Sequence, residues 1–171
     1  MAKALFITTK DIKRYSVLSG NVDPDRFIYM VEIAQDTEVQ NYLGTRLLEK
    51  LQDLILAGTI DQPANAAYKT LLETYVKPMT IYWALVCYMP FAAYTVGAKG
   101  VFKGQSENAL TVDKEEVDYL VEKYRDIAQF YTNNFIDFMI YNQNTYPEYN
   151  ANTEDDTYPD TANSDFGGWV L

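Results

Sequence analysis

From Met79 to Val96 the chain runs for eighteen residues without a charged side chain, between Lys77 and Lys99. A stretch of that length either crosses a bilayer or fills the centre of a helical domain. This one carries Tyr82, Trp83, Tyr88, Tyr94, two threonines and Pro90, which suit the interior of a protein better than lipid. The expectation is a central core helix, no membrane contact, and other helices packed around it.

The flanking sequence supplies those helices. Thr8, Thr9 and Asp11 offer cap chemistry for a short helix over about Lys10 to Val17, stopped by Ser19-Gly20-Asn21. Asp23-Pro24 reads as an N-cap followed by proline in the first turn, and Phe27, Ile28, Val31, Ala34, Val39, Tyr42 and Leu43 keep helical spacing up to Gly44. Thr45 is placed to cap a third helix whose stripe is Leu47, Leu48, Leu51, Leu54 and Ile55, ended by Gly58. A fourth pattern from Ala64 to Tyr94 is expected to be kinked at Pro78 and Pro90. Asp113 and Glu116 form a variant capping box that opens the longest helix, about residues 113 to 142. Its regular apolar positions, Val117 through Phe138, make it a spine.

The predicted fold is therefore all-α, a bundle of about five helices with that long C-terminal spine. Gly97, Gly100 and Gly104 alternate with Lys99 and Lys103, so residues 97–110 are expected to form a projecting loop or short hairpin. A solvated connector is the plain reading, and a contact loop carrying Lys99 and Lys103 is the functional one. The glycine spacing fits neither a P-loop nor a dinucleotide fingerprint.

The helical domain is expected to span 1–142 and a different kind of segment 143–171. That segment has six acidic residues and no basic ones, so six of the ten net negative charges lie in it. It also carries Tyr146, Tyr149, Tyr158, Phe166, Trp169, Val170 and Leu171, and the echo Thr145-Tyr146-Pro147-Glu148 and Thr157-Tyr158-Pro159-Asp160. Rings spaced by wet, proline-containing stretches suit an arm whose anchors fill a partner's pockets. A disordered tail, or a tail packed on its own domain, are the alternatives.

The residue inventory bears on chemistry. There is no histidine and one cysteine, Cys87. The usual neutral-pH general base is missing, no Cys/His metal site can be assembled, and no intrachain disulfide is possible. Cys87 sits in the apolar stretch and reads as a buried thiol, in a protein made in a reducing cytosol. Asp155 and Asp156 lack the loop pattern of a calcium site. Glu115, Glu116, Glu122, Lys123, Arg125 and Asp126 read as the solvated face of the spine helix. With 24 acidic against 14 basic residues, net charge -10, gripping nucleic acid is not the main task. Met1 to Thr9 lacks the features of a signal peptide, so this start is expected to be the mature one. Neither catalytic residues nor a cofactor are expected.

Several blocks resemble the small helical head-tail connector proteins of tailed phages, in particular those of crAss-like and related phages of Bacteroidetes. They are Gly20-Asn-Val-Asp-Pro-Asp-Arg26, Ala34-Gln-Asp36, Leu43-Gly-Thr45, Tyr68-Lys-Thr-Leu-Leu-Glu73 on to Lys77-Pro78, Pro90-Phe91, and Gly97 to Val101. Ser106-Glu-Asn108, Glu116-Val-Asp-Tyr-Leu120, Lys123-Tyr-Arg-Asp126 and Tyr146-Pro-Glu-Tyr149 complete the series. The resemblance covers about residues 5 to 149. It implies a virion adaptor, synthesised in the host cytoplasm, that docks on the portal protein as a homo-oligomeric ring, commonly of twelve copies. Such a ring continues the DNA channel without specific DNA binding and receives the next neck or tail protein. Trp169, Val170 and Leu171 resemble, by position and type, C-terminal segments with which connectors embrace a neighbour. The alternative is a soluble helical module that binds a host protein through its tail.

Overall fold

The computed structural model describes residues 3–8, 10–12, 24–92, 94–97, 100–103 and 114–162. The fold is all-α, with one two-stranded hairpin as the β structure among the described residues. Among the described residues its longer helices are α1 (Pro24–Ala34), α2 (Gln40–Leu56), α3 (Ala66–Leu71), α4 (Lys77–Ala92) and α5 (Lys114–Asn142). Strands β1 (Tyr94–Gly97) and β2 (Gly100–Lys103) pair antiparallel, Tyr94 opposite Lys103.

Local chemistry accounts for most of the boundaries. Thr8 and Asp11 make the reciprocal bonds of a capping box: the Thr8 N–H donates to Asp11 Oδ2 at 2.9 Å and the Asp11 N–H to Thr8 Oγ1 at 3.4 Å. A helical turn follows at 10–12; the remainder of the expected first helix, Asp23 and Asp113 lie outside the described residues. Gly44 breaks the helix axis inside α2, at φ 74° and ψ 163°, a region that is essentially glycine's alone. Gly58 stops α2 at φ 65°.

Two π-helical turns were not foreseen. Gln35–Val39 joins α1 to α2 and Leu72–Val76 joins α3 to α4. The second has a direct cause in Pro78. A proline ring collides with the carbonyl four residues back, here that of Thr74 in the middle of the widened turn. Pro90 is accommodated within the last turn of α4.

The charge-free stretch is the core only as far as Met89: Pro90, Phe91 and Ala92 are exposed, and Tyr94 to Val96, expected to continue the helical pattern, enter β1 instead. No residue of α4 from Met79 to Met89 is exposed, and Met79, Ile81, Ala84 and Leu85 are completely buried. α4 lies along α5, where the Trp83 indole N–H donates to Thr132 Oγ1 at 3.0 Å and Tyr82 stacks on Tyr131 at 5.1 Å. One layer further, Tyr75 stacks on Phe138 at 4.3 Å. α1 closes the other side of α4, with Phe27 edge-on to Tyr88. Among the described residues no helix is long and apolar enough to cross a membrane.

The N-terminal segment is drawn into this core by two amides. Gln35, buried at a position that continues the Phe27–Val31 stripe, accepts from the Phe6 N–H at 2.7 Å and donates to the Ala4 carbonyl at 3.2 Å. Gln52 donates to the same carbonyl at 3.3 Å, and Lys3 pairs with Asp36. Ala4, Phe6 and Ile7 are buried as a result.

Candidate interaction surfaces

The segment after α5 was expected to leave the domain at 142 as an arm. As far as it is described, it does the opposite. Two 3-10 turns, Gln143–Thr145 and Pro147–Asn150, fold it back. Tyr146 and Tyr149 are buried in the chain's own core, 2% and 5% exposed. The Tyr146 hydroxyl donates to the Ala67 carbonyl, its ring meets Tyr68 edge-on, and Tyr68 in turn donates to Glu148 Oε2 at 2.6 Å. Burial, then the bond to Glu148, pushes the Tyr68 phenol up. Tyr149 packs edge-on to Phe135 with its hydroxyl buried and without a hydrogen-bond partner. Its pKa is pushed up to about 12, first by burial and then by Asp160.

The continuation is seated on the break at Gly44. The Thr45 N–H donates to the Thr157 carbonyl at 3.0 Å and the Thr157 N–H to Thr45 Oγ1 at 2.9 Å. The Thr45 hydroxyl, expected to cap a helix, thus serves the returning chain. The Arg46 N–H donates to Asn152 Oδ1 at 3.1 Å, the Asp160 N–H to the Asn41 carbonyl at 2.7 Å, and the Arg46 guanidinium pairs with Asp156 at 2.7 Å. A β-carbon on Gly44 would lie 2.8 Å from Asn152 Nδ2 and 2.9 Å from the Pro159 ring. Glycine therefore supplies both the backbone angle and the room for the return. The expected boundary at 142 is the end of a helix and not of the folded unit.

Of the other expected contact residues, Tyr158 is 60% exposed. Lys99, Phe166, Trp169, Val170 and Leu171 lie outside the described residues, and Lys103 is in β2. Cys87 is half-buried and its thiol is pushed up by burial, the reverse of an activated nucleophile. Among the described residues no group of three or more His, Cys, Asp or Glu side chains is placed to hold a metal ion.

A surface that sequence reading passed over runs along the outside of α5. Tyr119, Phe130 and Tyr141 are 63%, 53% and 85% exposed. They are spaced by eleven residues, three helical turns, so they line up about 33 Å from end to end. Ala128, Thr132, Phe135 and Met139, all completely or nearly buried, occupy the opposite side. Lys123 lies over the Tyr119 ring at 5.5 Å. Beside the stripe is a groove of about 520 Å³ lined by Tyr75, Tyr131, Asn134, Phe138 and Tyr141 among others. The signal was present in the sequence as that spacing, on the face where only polar residues belong.

No curated protein and no solved structure matches the chain. The family model described as a family of unknown function, DUF6712, matches residues 39–159. That match crosses position 142 and ends at Pro159, so it takes in the returning segment and the glycine break that receives it. Covering well over half of the sequence, it identifies the chain as a member of the DUF6712 family.

Proposed function

We propose that the chain is a non-catalytic structural protein of a tailed-phage virion, a subunit of a ring at the portal vertex that joins head to tail and continues the DNA channel. The observation that carries this reading is where the resembling blocks fall. Ala34-Gln-Asp36 binds the N-terminal segment through Gln35 and Asp36. Leu43-Gly-Thr45 receives the returning chain, and Tyr68 and Tyr146-Pro-Glu-Tyr149 meet one another through the Tyr68–Glu148 bond. Four of the blocks that resemble connector proteins thus sit at joints of the architecture, which supports kinship of fold and asks for no active site.

In this reading the subunit contacts its ring neighbours, the portal protein and the next neck or tail protein. Tyr146 and Tyr149 are committed to the chain's own core, so the contact residues left in the C-terminal segment are Tyr158, Phe166, Trp169, Val170 and Leu171. Lys99, between the two strands in sequence, and Lys103, opposite Tyr94 at the far end of β2, supply the hairpin's contacts. The net charge of -10 favours passage of DNA over adhesion to it.

Cross-linking mass spectrometry on purified virions tests the reading. Cross-links from this chain to itself and to the portal are expected, with fewer from a version ending at Ala162. Absence of the chain from virions would refute it and leave the host-directed binding module.

A further inference from the structure

We propose that the outer face of α5 pairs with the same face of a second copy of this chain, antiparallel, about a two-fold axis at Phe130. Three large rings in line on one exposed helix face are more apolar surface than a solvated helix carries, and such stripes mark interaction sites. What identifies the occupant is the order of residues on either side of Phe130. Turned end for end about that ring, the face is complementary to itself. Tyr119 meets the partner's Tyr141, and Lys123 the partner's Asp137. Each contact occurs twice, and Phe130 meets its own copy at the centre. All of these side chains are exposed. Leu120 and Ile140 are 38% and 50% exposed and flank the aromatic line.

The charges decide the direction. In a parallel, in-register pair Lys123 would face Lys123 and Asp137 would face Asp137, a like-charge arrangement at both ends. The antiparallel arrangement replaces both with opposite-charge pairs. A fully buried aromatic side chain covers about 150–250 Å². Six rings already partly covered in the single chain therefore bury about 900 Å² at most. That is below the lower limit of specific interfaces, about 1,200 Å², so the pair is a weak one that forms with rising concentration. It does not rest on the ring reading: contacts in a closed ring join unlike faces, and a two-fold pair belongs to the free chain.

Sedimentation velocity of the full chain across a micromolar to sub-millimolar series is the test. The expected result is a shift from monomer to dimer mass. Phe130→Glu and, separately, Tyr141→Glu abolish the shift while circular dichroism stays that of the parent, because both side chains lie opposite the core. Lys123→Asp or Asp137→Lys alone weakens the dimer on the order of tenfold, two attractive pairs becoming two repulsive ones, and the two together restore it. A monomer at every concentration, or a dimer indifferent to Phe130→Glu and Tyr141→Glu, would overturn the proposal. A dimer sensitive to those variants but not restored by the double charge exchange would overturn the antiparallel register.

Discussion

Replacing Gly44 with alanine tests the central joint of the fold, and its cost separates into two parts that a second variant can isolate. The first is local. An alanine held at φ 74° and ψ 163° is strained by about 1–3 kcal/mol, whatever surrounds it. The second is tertiary. The new methyl would stand 2.8–2.9 Å from Asn152 and Pro159, so the returning segment must lift. Lifting forfeits the bonds joining Thr45 to Thr157 and Arg46 to Asn152. At about 0.5–1.5 kcal/mol each, those three bonds add roughly 1.5–4.5 kcal/mol. A total near 4 kcal/mol lowers the melting temperature by roughly 8–16 °C in a chain of this size. In a version ending at Asn150, which still holds Tyr146 and Tyr149, only the local part remains. The cycle of Gly44→Ala in both backgrounds, followed by urea denaturation, therefore yields a coupling of about 2 kcal/mol or more. Equal costs in the two backgrounds would refute the seating of the segment on Gly44. A cost below about 0.5 kcal/mol in the full chain would refute the backbone conformation itself.

Tyr149→Phe removes a buried hydroxyl that has no partner and is expected to leave stability unchanged or raise it by about 1 kcal/mol, whereas Tyr146→Phe, which loses the bond to the Ala67 carbonyl, costs about 1 kcal/mol; denaturant midpoints measured side by side check the contrast. Gln35→Ala orphans the buried Phe6 N–H and should cost about 2 kcal/mol, with protection of residues 3–8 lost in hydrogen exchange. The Asp156 carboxyl is held below its ordinary value of 3.8, first by the Thr153 backbone N–H and then by the Thr153 hydroxyl and Arg46. A depressed carboxylate stabilises the fold above its unfolded value and loses that contribution as pH falls through the folded one. The returning segment should therefore hold at neutral pH and loosen below pH 3.8, and an NMR titration of Asp156 should give a midpoint under that value, rising toward it in Arg46→Ala.

Most helices could be read from the chain because their signals are local. Pro24 in the first turn, glycines at 44 and 58, and the apolar period of α5 each act within a few residues of where they stand. The docking of 143–160 could not be read the same way. Tyr146 and Tyr149 carry the chemistry of anchors, and a ring's need for a pocket does not say whose pocket it will be. The partner lay in Gly44, whose role as a helix stop was legible and whose role as a landing site for Pro159 was not. Gln35 had a weak signal, an amide where the stripe of Phe27 and Val31 calls for a hydrocarbon. The π turn at Leu72–Val76 was half visible: Pro78 foretold a disturbance at Thr74, but a kink relieves the same clash as a widened turn does.

The burial of α4 on every side from Met79 to Met89 has a consequence for how the domain finds one arrangement. A helix with a wet side and a dry side has only one sensible rotation about its axis. From Met79 to Met89 there is no wet side, so solvent aversion is nearly indifferent to the angle at which this helix is set. The angle is chosen by directional contacts: the Trp83 indole hydrogen aimed at Thr132, and the Tyr82 ring laid flat on Tyr131. Greasiness drives this rod inward, while one hydrogen bond and one stacked pair act as the keyway that stops it from turning.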